Sequence, residues 1–172
     1  MERPVTDAAP SSHDSYPDDL IRTILRTVKV IAMVGASSNW NRPSYFAMKY
    51  LQKKGFRVIP VNPKEAGQQI LGEAVYAALA EVPDTVDMVD IFRNSDAAAG
   101  IVEEALAIKT RPKVIWMQLG VRNDAAAARA EAEGITVIMN RCPKIEYGRL
   151  SREIGALGIN TGMINSKRRQ TI

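Results

Sequence analysis

The sequence predicts an α/β protein with one Rossmann-like domain. Its sheet is expected to be doubly wound and parallel, with five strands in the order 3-2-1-4-5. Three observations predict this. The apolar run Val30-Ile31-Ala32-Met33-Val34 ends on Gly35, followed by Ala36-Ser37-Ser38 and a segment with helical spacing. A continuous run of this kind suits a parallel strand covered on both faces. Four more apolar runs follow, alternating with helical segments, which is the pattern of right-handed βαβ units. Finally, 172 residues at 46% hydrophobic and 24% charged suit one domain with a sizeable core.

The elements follow in order. Residues 1–16 are rich in Pro, Ser and Asp and are expected to be a flexible N-terminal segment. Pro17 to Thr27 carries Leu20, Ile21, Ile24 and Leu25 at helical spacing, with Pro17 and Asp18 as the start signal. The first strand comes next. Pro43 to Lys54 reads as a helix with Phe46, Ala47, Tyr50 and Leu51 on one face and Gly55 as its stop. Arg57 to Val61 is the second strand, and Asn62 to Gly67 a loop. Val75 to Ala80 is expected to be a short helix that ends at Pro83-Asp84. Val86 to Phe92 is the third strand, and Ser95 is expected to cap a helix running to about Lys109. Lys113 to Met117 is the fourth strand. Asn123 opens an Ala-rich helix that stops at Gly134, and Ile135 to Met139 is the fifth strand. Lys144 to Leu150 is a last short helix. The domain is thus expected over 17–150, with 151–172 as a C-terminal extension.

Composition excludes several classes of function. No apolar run approaches the roughly 20 residues that span a bilayer, and the N-terminus has no signal-peptide core. Cys142 is the one cysteine, so no internal disulfide forms, which fits a reducing cytoplasm. The net charge is +4, but Lys167, Arg168 and Arg169 stand together near the end. The positive balance therefore belongs to a tail and is no nucleic-acid footprint across the fold. Neither a nucleic acid nor a membrane is the expected partner; a small-molecule nucleotide cofactor is.

Ligands in open α/β sheets bind outside the carboxyl ends of the strands. The loops that matter are therefore residues 35–44, 62–64, 92–95, 118–122 and 140–144. The first brings Gly35, Ala36, Ser37, Ser38, Asn39 and Arg42. Its small residues leave backbone N–H groups exposed near a helix start, where an anion such as a phosphate is favoured. Gly35 lets the backbone turn and a ligand approach closely. The other loops bring Asn62, Pro63 and Lys64, then Phe92 and Arg93, then Gln118 and Gly120, then Arg141 and Cys142. With the phosphate turn, these cations point to a polyanionic ligand.

The second loop separates the candidate nucleotides. An NAD site places an acidic residue after the second strand, to accept from the ribose 2′-OH. Here that position reads Asn62-Pro63-Lys64, and the first turn lacks a full G-x-G-x-x-G. A ribose with an extra phosphate fits better, so NADP or coenzyme A is favoured and NAD is the weaker alternative.

Taken together, Val34-Gly35-Ala36-Ser37, Val61-Asn62-Pro63, Asp90-Ile91-Phe92-Arg93, Trp116-Met117-Gln118-Leu119-Gly120 and Asn140-Arg141-Cys142-Pro143 resemble the small stand-alone CoA-binding proteins. The resemblance covers about residues 25–150. It implies a single Rossmann-like CoA-binding domain, similar to the N-terminal part of the succinyl-CoA synthetase alpha subunit and of ADP-forming acyl-CoA synthetases. It also implies that Gly35 to Asn39 hold the CoA phosphates, that Lys64 falls near the synthetases' lysine after the second strand, and that Arg141-Cys142-Pro143 falls on their Asn-Cys-Pro turn. Those synthetases carry a phosphorylatable His on a second domain, for which this sequence has no counterpart.

Catalytic candidates are few. His13 is the one histidine and is expected to be solvated in the N-terminal segment. No spacing of His, Cys, Asp or Glu supports a metal site. Cys142 is the one candidate nucleophile, flanked by Arg141 and Lys144, whose charges would lower a thiol's pKa; a ligand-lining role is the simpler reading. Phe92 is placed to stack on adenine or to line the pantetheine path, whereas Trp116, inside a strand, belongs to the core. The expected function is non-enzymatic binding of coenzyme A or acyl-CoA, as a cofactor-binding module or sensor. Two alternatives stand beside it: an NAD(P)-binding redox sensor, and an accessory subunit that serves a partner acyl-CoA enzyme.

Overall fold

The computed structural model of the chain describes residues 12–151. In chain order its strands are β1 (Val30–Val34), β2 (Arg57–Val61), the two-residue pair β3 (Gln69–Ile70) and β4 (Glu73–Ala74), β5 (Met88–Ile91), β6 (Val114–Met117) and β7 (Thr136–Ile138). Its helices are α1 (Asp18–Thr27), α2 (Pro43–Lys53), α3 (Ser95–Ala107), α4 (Asp124–Glu131) and α5 (Pro143–Leu150). The five long strands make the expected doubly wound parallel sheet.

The order of the strands differs from the expected 3-2-1-4-5. It is β2-β1-β5-β6-β7, so the third long strand lies against β1 and not outside β2. The reason lies in residues 62–87. No full helix forms there to carry the chain outward. The chain folds into the small antiparallel hairpin of β3 and β4, whose turn has positive φ at Leu71 and Gly72. Tyr76 then bridges Val61 in parallel, with Tyr76 N–H donating to the Pro60 carbonyl at 3.1 Å. This takes the outer side of β2. Asp87 meanwhile fixes the start of β5 beside β1, because its carboxylate accepts from the N–H groups of Lys29 and Val30 at 2.9 and 3.0 Å.

The same contacts displace the helix expected over Val75–Ala80. Tyr76 is held at the sheet margin, and only a single 3₁₀ turn, Leu79–Glu81, follows. The cap of α3 is Asn94, whose side chain accepts from Ala97 N–H at 2.9 Å, and not Ser95. Ser95 Oγ accepts instead from Arg122 N–H at 3.0 Å. Asn123 caps α4 as expected, accepting from Ala126 N–H at 2.9 Å.

Alternate strand residues feed two cores. Met33, Met88 and Trp116 face α1, α2 and α5, where they meet Ile24, Met48 and Leu51. Ala32, Val89 and Ile115 face α3 and α4, whose Ala98, Ala105, Ala127 and Ala130 allow close approach. Trp116 is fully buried, and its indole N–H donates to the Arg141 carbonyl at 2.8 Å.

Residues 12–16 are fastened and not loose. Asp14 pairs with Arg122 at 2.8 Å, and its carbonyl accepts from Arg141 at 3.0 Å. Tyr16 Oη accepts from Met139 N–H at 2.7 Å, and its ring lies under the Arg141 guanidinium. His13 is not solvated as expected: its Nδ1 lies 2.9 Å from Tyr16 Oη and its Nε2 lies 3.2 Å from Glu131. The rest of the expected N-terminal segment, and the C-terminal extension with its basic tail, fall outside the described residues.

Candidate functional site

The carboxyl ends of β1 and β5 meet at the point where the strand order reverses. Gly35 sits there with φ +90°, donating its N–H to the Val61 carbonyl at 2.9 Å. A Cβ on Gly35 would lie 2.7 Å from the Phe92 carbonyl oxygen and 3.0 Å from Arg93 Cδ. The glycine is thus demanded by the crossing of two protein segments and by its left-handed backbone, before any ligand is considered.

Beyond Gly35 the first loop is held from the second. Asn62 Nδ2 donates to the Ala36 carbonyl at 2.8 Å, and Asn62 Oδ1 accepts from Lys64 N–H at 3.0 Å. Ser38 N–H donates to Glu65 Oε2 at 2.9 Å, and Ser37 Oγ donates to Glu65 Oε1 at 3.3 Å. Asn39 N–H donates to Ser37 Oγ, and Asn41 N–H to Asn39 Oδ1. A carboxylate therefore occupies the turn at which a phosphate is expected. It is an internal stand-in showing that these groups suit an anion. Arg42 and Lys64 are exposed at the rim. Sequence reasoning missed Glu65; the only signal was an acid just after Asn62-Pro63-Lys64.

Two cavities flank the crossing. The larger, about 550 Å³, lies on the α2 and α5 side and is lined by Phe46, Ala47, Phe92, Gln118, Cys142 and Lys144 among others. The smaller, about 250 Å³, lies on the α3 side and is lined by Gly35, Pro63, Ala97 and Ile101 among others. Arg93 lines both. The expected residues Phe92, Arg93, Gln118 and Cys142 thus converge, as do Gly35 and Pro63. Arg141 and Gly120 are not brought in. The guanidinium of Arg141 is committed to Asp14 and Asn140, and Gly120 forms a turn whose N–H donates to Asn140 Oδ1 at 2.8 Å.

Beneath the larger cavity lies an acid that sequence reasoning did not single out as a site residue. Asp90 is fully buried in β5, and both its oxygens accept from Gln118 Nε2, at 3.1 and 3.2 Å. Burial pushes its pKa up to about 8, and the Gln118 hydrogen bond opposes this only in part. The signal was a single acid inside the apolar strand Met88-Val89-Asp90-Ile91. Cys142 lines the larger cavity, but its pKa is not lowered as its neighbouring cations led one to expect. Burial raises its pKa above the ordinary thiol value, and the nearby Asp90 adds to this. Hydrogen bonds from the Ile145 and Lys144 backbone and the Lys144 charge pull the other way with less effect. Cys142 is a neutral lining group and not an activated thiolate. Among the described residues, no helix is long and apolar enough to cross a membrane.

Residues 29–148 match the sequence model of the CoA binding domain. The chain belongs to the CoA binding domain family. It is 36% identical over 127 residues to the uncharacterized protein YneT of Bacillus subtilis, covering 74% of this chain and 91% of YneT. Among solved structures, a Thermus thermophilus protein superposes with a TM-score of 0.74 at 34% identity, over 78% of this chain and 98% of that one. The dinucleotide-forming acetyl-coenzyme A synthetase 1 of Ca. Korarchaeum cryptofilum shares the fold at 23% identity, with a TM-score of 0.54. That match covers 65% of this chain and 26% of the synthetase. This CoA binding domain therefore holds its crossing, its stand-in anion and its two cavities within the matched span.

Proposed function

We propose that this CoA binding domain holds coenzyme A, or an acyl-CoA, reversibly and non-covalently, as a cofactor-binding module or sensor. The observation that carries the reading is the arrangement at the crossing. Two cavities stand on either side of it, Arg93 borders both, and the adjacent first loop already binds an anion through Ser37 and Ser38. An elongated ligand with a charged middle and two unlike ends matches that shape. Pro63 and the α3 side would hold the nucleotide end. Arg93, Ser37 and Ser38 would face the phosphates, with Glu65 leaving the turn. Phe92, Phe46 and Gln118 would line the arm, which ends in a thiol; the chemistry of that thiol belongs to the cofactor. Cys142, kept neutral by burial, supports a lining role over a nucleophilic one.

A second reading, an NADP-binding protein, rests on Asn62-Pro63-Lys64, where the three positions directly after β2 carry a lysine and no acid, Glu65 being turned to the first loop. Thermal-shift measurements with CoA, dephospho-CoA, NADPH and NADH separate the two. A ligand that binds only the folded state raises the melting temperature by mass action. CoA should stabilise most and dephospho-CoA less, and native mass spectrometry should find a CoA-sized mass on protein purified without added ligand. Stabilisation by NADPH with none by CoA would transfer the function to the second reading.

A further inference from the structure

We propose that Gln118, anchored from behind by Asp90, is the residue in the larger cavity that recognises a neutral amide N–H of the bound ligand's arm. The inference rests on the reading that this cavity takes the arm of coenzyme A, which contains two amide groups.

The geometry of the pair carries it. Gln118 follows β6 and points to the same face as Trp116, two residues earlier. Its register partner on β5 leaves Asp90 on that face too, since Asp90 is paired with Trp116. The backbone of Gln118 is fixed as well, with its N–H donating to the Ile91 carbonyl at 3.2 Å. Asp90 takes the side-chain nitrogen with both oxygens. Once the nitrogen is spent on Asp90, the carbonyl oxygen is turned away from it. Among the described residues, no group donates to Gln118 Oε1, although Gln118 is only 6% exposed and lines the cavity. That oxygen is not sealed off within the protein; it keeps access to the cavity, from which a donor can reach it. Much of the wall is apolar, with Phe46, Phe92 and Val121, and the donors that line it, Asn41, Arg93 and Lys144, make no hydrogen bond to this oxygen. A neutral N–H donor entering the cavity would complete the amide.

The charge of the lining also selects the class of donor. Arg93 and Lys144 both line the cavity, so a cationic donor is repelled there and an uncharged amide fits. Gln118 acts by direct contact, and Asp90 acts as a positioning residue through it.

The test compares two probes by calorimetry: CoA, and adenosine 3′,5′-bisphosphate, which shares the nucleotide end and lacks the arm. Gln118→Met keeps the volume and removes the amide. It should weaken CoA about tenfold, the loss of one buried hydrogen bond, and leave the bisphosphate unchanged. Asp90→Leu should reproduce part of that selective loss. Asp90→Asn, which retains an acceptor for Nε2, should restore it. In the wild-type protein, CoA should shift the side-chain NH₂ signals of Gln118 in nitrogen-15 spectra and the bisphosphate should not, a readout independent of any variant's folding. Unchanged CoA affinity in Gln118→Met, or equal weakening of both probes, overturns the proposal while leaving CoA binding itself standing. Absence of CoA binding by the wild-type protein overturns the functional reading, and this inference falls with it.

Discussion

Two groups of loops at the carboxyl ends of the strands have similar composition and opposite roles in the structure. The first group, residues 35–42 with 62–65, and the second, residues 118–122 with 139–144, both combine small residues, amides and cations. In the first, the contacts run between neighbouring loops and gather polar groups around an anion, the Glu65 carboxylate. In the second, the two arginines are already used, while Lys144 lines the larger cavity. Arg122 is paired with Asp14, and Arg141 is spent on the Asp14 carbonyl and the Tyr16 ring. A cation near a strand end is therefore evidence for a ligand only when nothing in the protein has claimed it.

The largest effect that tests this contrast is at Gly35. Gly35→Val forces a side chain against the Phe92 carbonyl in a left-handed backbone. Strain and overpacking together should remove roughly 3–5 kcal/mol of stability, seen as an early urea transition. A variant that unfolds like the wild type would show that the crossing of the two segments is looser than described.

The second effect lies on the ground between the two groups. Asp90 keeps its proton up to about pH 8 when folded, and releases it near the ordinary carboxyl value of 3.8 when unfolded. Within that window the folded chain binds the extra proton. Its contribution is complete below the unfolded value and is lost as pH rises through the folded one, at most about 1.4 kcal/mol per pH unit. Between about pH 5 and about pH 8, denaturant titrations should show wild-type stability falling more than that of Asp90→Asn. Parallel curves for the two proteins would mean that Asp90 does not carry the proton.

The smallest effect sharpens the contrast most directly. Arg93→Ala should weaken CoA about tenfold, because Arg93 borders both cavities. Arg141→Ala should leave CoA affinity within about twofold and lower the melting temperature instead, because its partners are protein groups. The reverse pattern in paired calorimetry and thermal melts would overturn the assignment of Arg93 to the ligand and of Arg141 to the protein.

Much of the fold was legible because the strands are buried on both faces and leave continuous apolar runs. β1, β2 and β6 lie where those runs fall. The strand order was not legible, since it depends on a hairpin of two-residue strands and one bridge at Tyr76, too short to leave a period. In the candidate site, Gly35, Phe92, Arg93, Gln118 and Cys142 could be found from their place after strands. Glu65 and Asp90 left only a weak signal, an acid after Asn62-Pro63-Lys64 and an acid inside an apolar strand, because their roles come from burial and from contacts across the fold. Arg141 misled for the same reason: its partner Asp14 is 127 residues away in sequence.

The fastening of residues 12–16 also bears on how copies of this chain avoid one another. In β7, Thr136 N–H points inward to the Lys113 carbonyl, so by alternation Met139 N–H points to the outer margin of the sheet. Tyr16 Oη occupies that N–H, as the hairpin and Tyr76 occupy the opposite margin beside β2. An uncovered strand is a template on which another chain can add. The residues just ahead of the first helix therefore cover a donor that an open strand edge would offer to a second chain. Loss of Tyr16 would be felt first as aggregation at high protein concentration, with the ligand cleft still intact.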